Sequence, residues 1–436
     1  MKKVSFHTLG CKLNFAETAT ISRLFGQKGF VTVSLDQRPH VFVLNSCSVT
    51  ENADRKCAKV VKHALKKVPS AFVIVIGCYA QLQPEAIAQI PGVDAVLGSN
   101  EKFKLLDLLT DFDKKEGNET ATIQVAPIQE SRTFSPAYSL SDRTRAFLKV
   151  QDGCNYKCTF CTIPLARGSS RSAPIAEVVA QARAIAVKGI KEIVLTGVNL
   201  GDFGLIDNKR TAHFLELIQA LEAVEGIERF RISSIEPNLL NKAIITFVAQ
   251  SKRFMPHFHI PLQSGSDKIL KLMRRRYTTQ LYQERIETII KEIPTCCIGV
   301  DVIVGFPGET EADFLDSYHL LNSLPIAYLH VFPYSERAQT KAATMAASVP
   351  FAERARRAHM LRILSEKKLR YFYSQHLGQQ ARVLFEQAEA EEPIEGFTEN
   401  YIRVQLPYQQ GLSGKVCPVI LQTIHTEGVV VPKLLS

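Results

Sequence analysis

Residues 151–161 read Gln-Asp-Gly-Cys-Asn-Tyr-Lys-Cys-Thr-Phe-Cys, which places Cys154, Cys158 and Cys161 in the spacing CxxxCxxC. Three thiolates on one short loop can hold three irons of a cubane 4Fe–4S cluster and leave the fourth iron without a protein ligand. An open position on a metal is where a small ligand binds and reacts. The alternative is a zinc site, but zinc needs a fourth His or Cys close in sequence, and the loop offers none.

The cysteine loop follows the first strand of a repeated pattern. From 144 to 333, short apolar runs alternate with helical periodicity, and a loop rich in Gly, Pro or small polar residues follows each run. This alternation predicts a partial (β/α) barrel, in which the loops after the strands carry the chemistry. The predicted strands are 146–150, 192–196, 230–233, 257–261, 299–304 and 328–332.

The segment before the barrel, 1–112, also alternates between strand-like and helix-like pieces, which predicts a Rossmann-like domain with a parallel sheet. Cys11, Cys47 and Cys78 each follow one of its predicted strands. Ligands bind at the carboxyl ends of parallel strands, so these three cysteines could converge on one site. Three separate buried cysteines are the alternative, and the strand order that decides between them cannot be obtained from the sequence.

The remaining segments have different compositions. Residues 113–143 are polar and rich in Ser and Pro, which predicts a linker between the first domain and the barrel domain, 144–374. A basic helix over 352–375 is expected either to attract phosphates or to present a solvated face. Residues 375–436 contain short β-type runs separated by turn signals, so we expect a small β-barrel.

The charge and cysteine content narrow the class of protein. The chain has 436 residues, a formal net charge of +10 and ten cysteines. A basic chain is compatible with a polyanion partner, although residues from 377 onward carry four basic and seven acidic side chains. Neither a signal segment nor an apolar run of about 18 residues is visible, so we expect a cytoplasmic protein without membrane association. In a reducing compartment, clustered cysteines more often bind metal than form disulfides.

Beyond the spacing, several stretches resemble the radical SAM (S-adenosylmethionine) methylthiotransferases. They are QDGCNYKCTFCTIPLARG (151–168), HIPLQSGSD (259–267), LMRRRY (272–277), DVIVGFPGET (301–310) and VFPYSERAQTKAA (331–343). TLGCKLNFAET (8–18) is similar to the start of the family's amino-terminal domain, and 375–436 resembles its TRAM domain, an RNA-binding β-barrel. One departure concerns the family's arginine-rich run after the cysteine loop, RGRxRSRP, which reads RGSSRSAP here (167–174), so that Ser169 and Ala173 stand where the family has arginine.

The resemblance implies two 4Fe–4S clusters and SAM as a co-substrate. Cys154, Cys158 and Cys161 would be the catalytic cluster ligands, with the open iron chelating SAM, and Cys11, Cys47 and Cys78 would hold the second cluster. Residues on the rim loops would contact SAM, with local turn or capping contacts as the alternative: Gly197, Asn199, Ser234, Glu236 and Gln263. A low-potential electron donor such as flavodoxin or ferredoxin is then required.

The resemblance also implies a substrate. The opening TLGCK, with Asn14 and Glu17, looks most like the branch that acts on threonylcarbamoyladenosine in the anticodon stem-loop of tRNA, 3′ of the anticodon. The product would be the 2-methylthio derivative. The alternatives are the branches acting on isopentenyladenosine in tRNA or on a ribosomal protein. A non-catalytic iron–sulfur protein that binds RNA is a further alternative from a different class.

Overall fold

The structure is a computed structural model that describes residues 2–48, 51–109, 111–115, 119–131, 133–140 and 144–435. It is an α/β protein whose chain builds a parallel sheet, a partial (β/α) barrel and a small closed β-barrel in that order, as the sequence predicts. Among the described residues, no helix combines the length and the apolar composition needed to cross a bilayer.

The amino-terminal sheet is parallel and has the strand order β2-β1-β3-β4-β5-β6. Its two central strands are buried along their whole length, because helices cover both faces of the sheet. The elements are β1 (Lys3–Thr8), α1 (Lys12–Gln27), β2 (Val31–Thr32), β3 (Val41–Ser46), α2 (Glu51–Lys67), β4 (Phe72–Gly77), α3 (Cys78–Leu82), α4 (Pro84–Ala88), β5 (Ala95–Leu97), α5 (Leu105–Leu108) and β6 (Thr122–Gln124).

The barrel is an open one. Its parallel strands run β8-β11-β14 and β15-β16-β17, and short bridges such as Ser234 to His259 join the two halves. The elements are β7 (Ala137–Tyr138), β8 (Arg145–Lys149), β9 (Gln151–Asp152), α6 (Ile163–Arg167), β10 (Arg171–Ser172), α7 (Ile175–Val187), β11 (Glu192–Thr196), β12 (Leu205–Ile206), β13 (Lys209–Arg210), α8 (Phe214–Glu222), β14 (Arg229–Ile232), α9 (Lys242–Gln250), β15 (His257–His259), α10 (Asp267–Leu272), α11 (Thr279–Glu292), β16 (Cys297–Val304), α12 (Glu311–Ser323), β17 (Tyr328–Pro333) and α13 (Phe351–Ser374).

The segment expected to be a linker, 113–143, contributes to both neighbouring sheets. β6 extends the amino-terminal sheet beside β5, and β7 pairs antiparallel with β8 of the barrel. Helix α1 packs against the same edge, where the Thr20 hydroxyl accepts from the Tyr138 N–H at 3.1 Å. The segment therefore fastens the amino-terminal domain to the open side of the barrel.

The last strands form a closed barrel in the order β18-β19-β20-β22-β21. They are β18 (Gln380–Phe385), β19 (Ile394–Thr398), β20 (Arg403–Leu406), β21 (Val416–Ile424) and β22 (Val430–Leu434). This barrel docks at the amino ends of the larger barrel's strands. There, Arg229 donates to the Arg382 carbonyl (2.7 Å), and Arg231 donates to the Glu399 carbonyl (3.0 Å).

The arginines in the first half of the basic helix α13 do not have the role predicted for them. Arg354 and Arg357 are buried and pair with Glu336 and Glu309, at 2.5 and 2.6 Å. These two arginines anchor the helix to the barrel, so the expectation that they attract phosphates is wrong. A charge that pairs with an acid from a distant element cannot be recognised from the local composition.

Candidate functional site

The first site is the cysteine loop between β9 and α6. The Cys161 N–H donates to the Cys158 carbonyl at 3.2 Å, and the Tyr156 N–H points at Cys154 Sγ at 3.4 Å. Burial raises the pKa of the Cys154 and Cys161 thiols to about 12, and the nearby Cys158 adds to both shifts. The three thiols therefore lie together, and a metal that binds them must displace their protons.

Arg275 supports this loop from the segment after α10. Its guanidinium donates to Cys158 Sγ at 3.1 Å and also to the Glu236 carboxylate. The neighbouring Arg276 lies over the Tyr156 ring at 4.1 Å. A cation in contact with a ligand sulfur stabilises negative charge on the cluster that the sulfur binds. Glu236, expected to contact SAM directly, is thus tied to the cysteine loop through Arg275.

The loop after β11 lies against the base of the cysteine loop. Gln151 accepts through Oε1 from the N–H groups of Val198 (2.8 Å) and Asn199 (2.9 Å). A Cβ at Gly197 would lie 3.0 Å from the same oxygen, so glycine permits this close approach. Asn199 is 2% exposed, and neither of its amide atoms has a hydrogen-bond partner in the described part of the chain. A buried amide in this state fits a polar ligand beside the loop.

Gln263 lies at a cavity of about 220 Å³ that Cys161 and Asp301 also line. Its backbone is left-handed, with φ of 67°, and its N–H donates to the Asp301 carbonyl at 2.9 Å. Ser234 belongs to the neighbouring strand edge, where its carbonyl accepts from the Leu200 N–H at 3.3 Å. Of the predicted rim residues, Gln263 thus lines the cavity beside Cys161, and Ser234 lies outside that lining.

The second site lies at the carboxyl edge of the amino-terminal sheet. Because β1, β3 and β4 are adjacent, Cys11, Cys47 and Cys78 follow three neighbouring strands. A Cβ on Gly10 would fall 2.8 Å from Cys47 Sγ. Burial raises the pKa of Cys78, while the charge of Arg167 opposes the rise. The strand order therefore brings the three cysteines to one edge of the sheet, as convergence on a single site requires.

A buried charge network joins the two sites. We define it by Glu17 and Asp152 with the cations that contact them: Lys102, Lys149, Arg167 and Arg171. Arg167, at the end of α6, donates to both carboxylates at 3.0 Å and to Asn14 Oδ1 at 2.7 Å. Burial alone would raise the pKa of Glu17, but these cations outweigh it and hold that pKa well below its ordinary value. The network holds more cationic than anionic groups, which suits a negatively charged neighbour such as a thiolate cluster.

The loops that carry the two cysteine groups contact each other. Thr162 Oγ1, next to Cys161, lies 3.5 Å from the carbonyl oxygen of Ser48, which follows Cys47. Arg337, from the loop after β17, donates to the Ser48 hydroxyl at 2.6 Å. The residue following the last cysteine of one trio therefore touches the residue following the middle cysteine of the other.

Several of these residues are missed by sequence reasoning. Arg275 stands in a run of three arginines, and nothing in the run distinguishes the one that meets Cys158. Arg167 and Lys102 are ordinary basic residues in sequence, yet both are about 1% exposed. The motif residues Asn14 and Glu17 offered a usable signal, because polar residues on the inner face of an apolar helix require buried partners.

Two family models match the chain. Residues 3–98 match the "Uncharacterized protein family UPF0004", and residues 148–321 match the "Radical SAM superfamily". Radical SAM domains carry a 4Fe–4S cluster and SAM. The second match includes the cysteine loop and the barrel strands up to β16.

Relatives and a solved structure agree with these matches. "Threonylcarbamoyladenosine tRNA methylthiotransferase MtaB" of Bacillus subtilis is 38% identical over 96% of this chain and 93% of the relative. The protein of the same name from Aquifex aeolicus is 38% identical over 92% of this chain and 96% of its own length. In fold alone, the chain resembles the radical SAM methyltransferase TsrM of Kitasatospora setae, with a TM-score of 0.57 and 13% identity over 79% of this chain and 77% of that one.

The two matched segments coincide with the parts of the fold that hold the two cysteine trios. The match to the Bacillus subtilis relative covers 96% of this chain. A fold match alone would leave the activity open, but an alignment of this length does not. The chain therefore belongs to the methylthiotransferase family of radical SAM enzymes.

Proposed function

We propose that this protein is a tRNA methylthiotransferase that converts threonylcarbamoyladenosine, 3′ of the anticodon, to its 2-methylthio derivative. The observation that carries the proposal is the contact between Thr162 and Ser48, which places the radical SAM loop against the second cysteine trio. Insertion of sulfur into a carbon–hydrogen bond needs a hydrogen-abstracting group and a sulfur-bearing group within reach of one base. The printed names of the relatives support the choice of base.

The first cluster is assigned to Cys154, Cys158 and Cys161. When bound and reduced, this cluster supplies the electron that cleaves SAM. The protein's own part is to hold the loop through Arg275 and to bind SAM beside it. Asn199 offers an amide without a partner among the described residues, Gly197 permits close approach, and Gln263 lines the cavity. We assign direct contact with SAM to Asn199, Gly197 and Gln263, and a supporting role to Glu236 and Ser234.

The second cluster is assigned to Cys11, Cys47 and Cys78. Three thiolates at one sheet edge leave one cluster iron for a sulfur ligand, and this arrangement suits a group that delivers sulfur. The cationic surplus of the buried charge network lies beside Cys78. The network also fixes the amino-terminal domain to α6, so its second task is to hold the two clusters at a constant separation.

Each domain has a separate task in the proposed reaction. We assign sulfur delivery to 1–112, a connecting role to 113–143, SAM chemistry to 144–374 and RNA binding to the small barrel, 375–436. The barrel itself is acidic, so attraction to phosphates must come from elsewhere. Exposed lysines lie along α2 near the second trio: Lys56, Lys59, Lys62 and Lys66. The exposed part of α13 adds Arg362, Lys367 and Arg370.

The test uses anaerobically reconstituted enzyme with SAM and a reductant such as flavodoxin, ferredoxin or dithionite. It is offered tRNA carrying threonylcarbamoyladenosine, tRNA carrying isopentenyladenosine, and ribosomal protein in separate reactions, and the products are analysed by mass spectrometry. We expect the methylthio product in the first reaction. A product confined to the second or third reaction would assign the chain to another branch, and cluster binding without SAM cleavage would leave only a non-catalytic role.

A further inference from the structure

A group of titratable side chains in the barrel has no part in the function described so far. Strand alternation directs one set of side chains from β15, β16 and β17 into the barrel. We call this set the lumen cluster: His257, His259, Asp301, Tyr328 and His330. Asp301 and His330 are direct partners in the parallel register of β16 and β17. The cluster lies below Gln263, whose N–H donates to the Asp301 carbonyl at 2.9 Å.

Asp301 organises two of the imidazoles. Its Oδ1 lies 2.9 Å from His259 Nε2 and 3.2 Å from His330 Nδ1. Burial alone would raise the pKa of Asp301, but the hydrogen bonds from both rings outweigh it and hold that pKa well below its ordinary value. The ionised carboxylate thus accepts one N–H hydrogen bond from each imidazole ring. This fixes which nitrogen of His330 faces Asp301 and leaves Nε2 for another partner.

His330 is the member of the cluster that a ligand can reach. Its side chain is 55% exposed, whereas that of His259 is 13% exposed. In the described part of the chain its Nε2 makes no hydrogen bond. The ring is braced by Tyr328 and His259, with centroids 5.2 and 5.1 Å away. Two residues further along β17, Phe332 lines the same cavity as Asp301 and Cys161, so His330 faces the space below the cysteine loop.

The surroundings of the cluster favour an anion. Burial lowers the pKa of His257 far below its ordinary value, and the nearby charges of Arg231 and Lys12 lower it further. Lys12 opens helix α1, directly after Cys11, and is one of the cations facing the lumen. The Asp301 carboxylate already accepts hydrogen bonds from both imidazoles. A ligand entering between these groups therefore meets donors and positive charge.

We propose that His330, held by Asp301, binds the carboxylate of the threonylcarbamoyl group and so distinguishes this base from adenosines with an uncharged N6 substituent. The proposal rests on the proposed function, since it assigns a subsite for that substrate. Because Nδ1–H faces Asp301, Nε2 donates to the ligand carboxylate only from the imidazolium form of His330, which then lies between two carboxylates. Such a charge-assisted hydrogen bond is stronger than a neutral one. SAM also carries a carboxylate, so the experiment must separate the two sources.

The experiment measures dissociation constants of reconstituted enzyme, saturated with SAM, for two synthetic anticodon stem-loops. One carries threonylcarbamoyladenosine, and the other carries the same group with its carboxylate converted to a methyl amide. We expect wild-type enzyme to bind the first about tenfold more tightly. His330→Gln should reduce this ratio to about two and leave the dissociation constant of SAM unchanged. His319→Gln, at an exposed position on the outer helix α12, is the matched control and should keep the wild-type ratio.

Several results would overturn the proposal. An unchanged ratio in a folded His330→Gln variant would show that another group reads the carboxylate, and weakened SAM binding would assign His330 to SAM. A zinc content that falls by one equivalent in the variant would show that the lumen cluster holds a metal instead. His330→Asn, which retains a donor for Asp301, repeats the test if the first variant misfolds. Wild-type enzyme that methylthiolates only isopentenyladenosine refutes the proposed function itself and is recognised separately.

Discussion

Glu17→Gln should destabilise the protein by about 3–5 kcal/mol, the cost of removing one partner from a buried charge pair. Glu17 is fully buried and contacts Lys102, Lys149 and Arg167 at 2.6, 3.0 and 3.0 Å. The substitution keeps the shape of the side chain but leaves Asp152 as the one carboxylate for the four cations of the network, of which Lys102 loses its ion-pair partner. The network spans the amino-terminal domain and the barrel, so the free energy of unfolding should fall for the cooperative transition in which both domains unfold together.

The assay is urea unfolding followed by far-UV circular dichroism, with Glu225→Gln as the control. Glu225 is exposed, so its change should stay within about 0.5 kcal/mol. The depressed pKa of Glu17 means that its stabilising effect is present above about pH 4.3 and is lost as the pH falls further. The difference between Glu17→Gln and wild type should therefore shrink in acid. A loss below about 1 kcal/mol at neutral pH, as for an exposed pair, would refute the reasoning.

Three further substitutions test individual contacts. Arg275→Leu removes the cation 3.1 Å from Cys158 Sγ and should lower the reduction potential of the first cluster by about 60 mV, measured by EPR-monitored titration; an unchanged potential would contradict the contact. Asn199→Leu should weaken SAM binding about tenfold in equilibrium dialysis, and a change under twofold would exclude the contact. Gly10→Ala places a Cβ 2.7 Å from that of Cys47 at a φ of 99° and should cost about half of the reconstituted iron. Gly189→Ala, at a φ of 80° with open space around the added Cβ, should retain the full wild-type iron content. Equal iron content in both variants would contradict the assignment of a cluster to Cys11, Cys47 and Cys78.

The strands of the barrel could be predicted closely because each is a short apolar run with a loop signal after it. The strand β19 is hard to predict because Glu395 and Gly396 interrupt its apolar pattern, although Ile394 and Thr398 are buried in the small barrel. Burial of alternate residues in a small barrel gives a weak signal in so short a strand. Local pattern therefore predicts strands well where both faces are covered and poorly where one faces solvent.

The functional sites could be predicted from the sequence only where their residues are close together in the chain. The CxxxCxxC loop is local, so spacing alone identifies Cys154, Cys158 and Cys161 as a group. The second trio depends on β1, β3 and β4 being neighbours, which is a property of the strand order and not of any one segment. The partners of Arg167 and Arg275 lie far away in sequence. Glu17 reaches Arg167 through the docking of two domains, and Cys158 reaches Arg275 through the fold of the barrel itself. Long-range charge pairing of this kind leaves little trace in composition.

The central claim is that the two cysteine trios perform different steps on one substrate. The most direct test incubates reconstituted enzyme with SAM, reductant and tRNA and measures 5′-deoxyadenosine and the methylthiolated nucleoside in the same reaction. Cys158→Ala should yield neither product, and Cys47→Ala should yield 5′-deoxyadenosine alone. Cys57→Ala, a buried cysteine outside both trios, should yield both. Methylthiolated nucleoside from Cys47→Ala at the wild-type level would contradict the account.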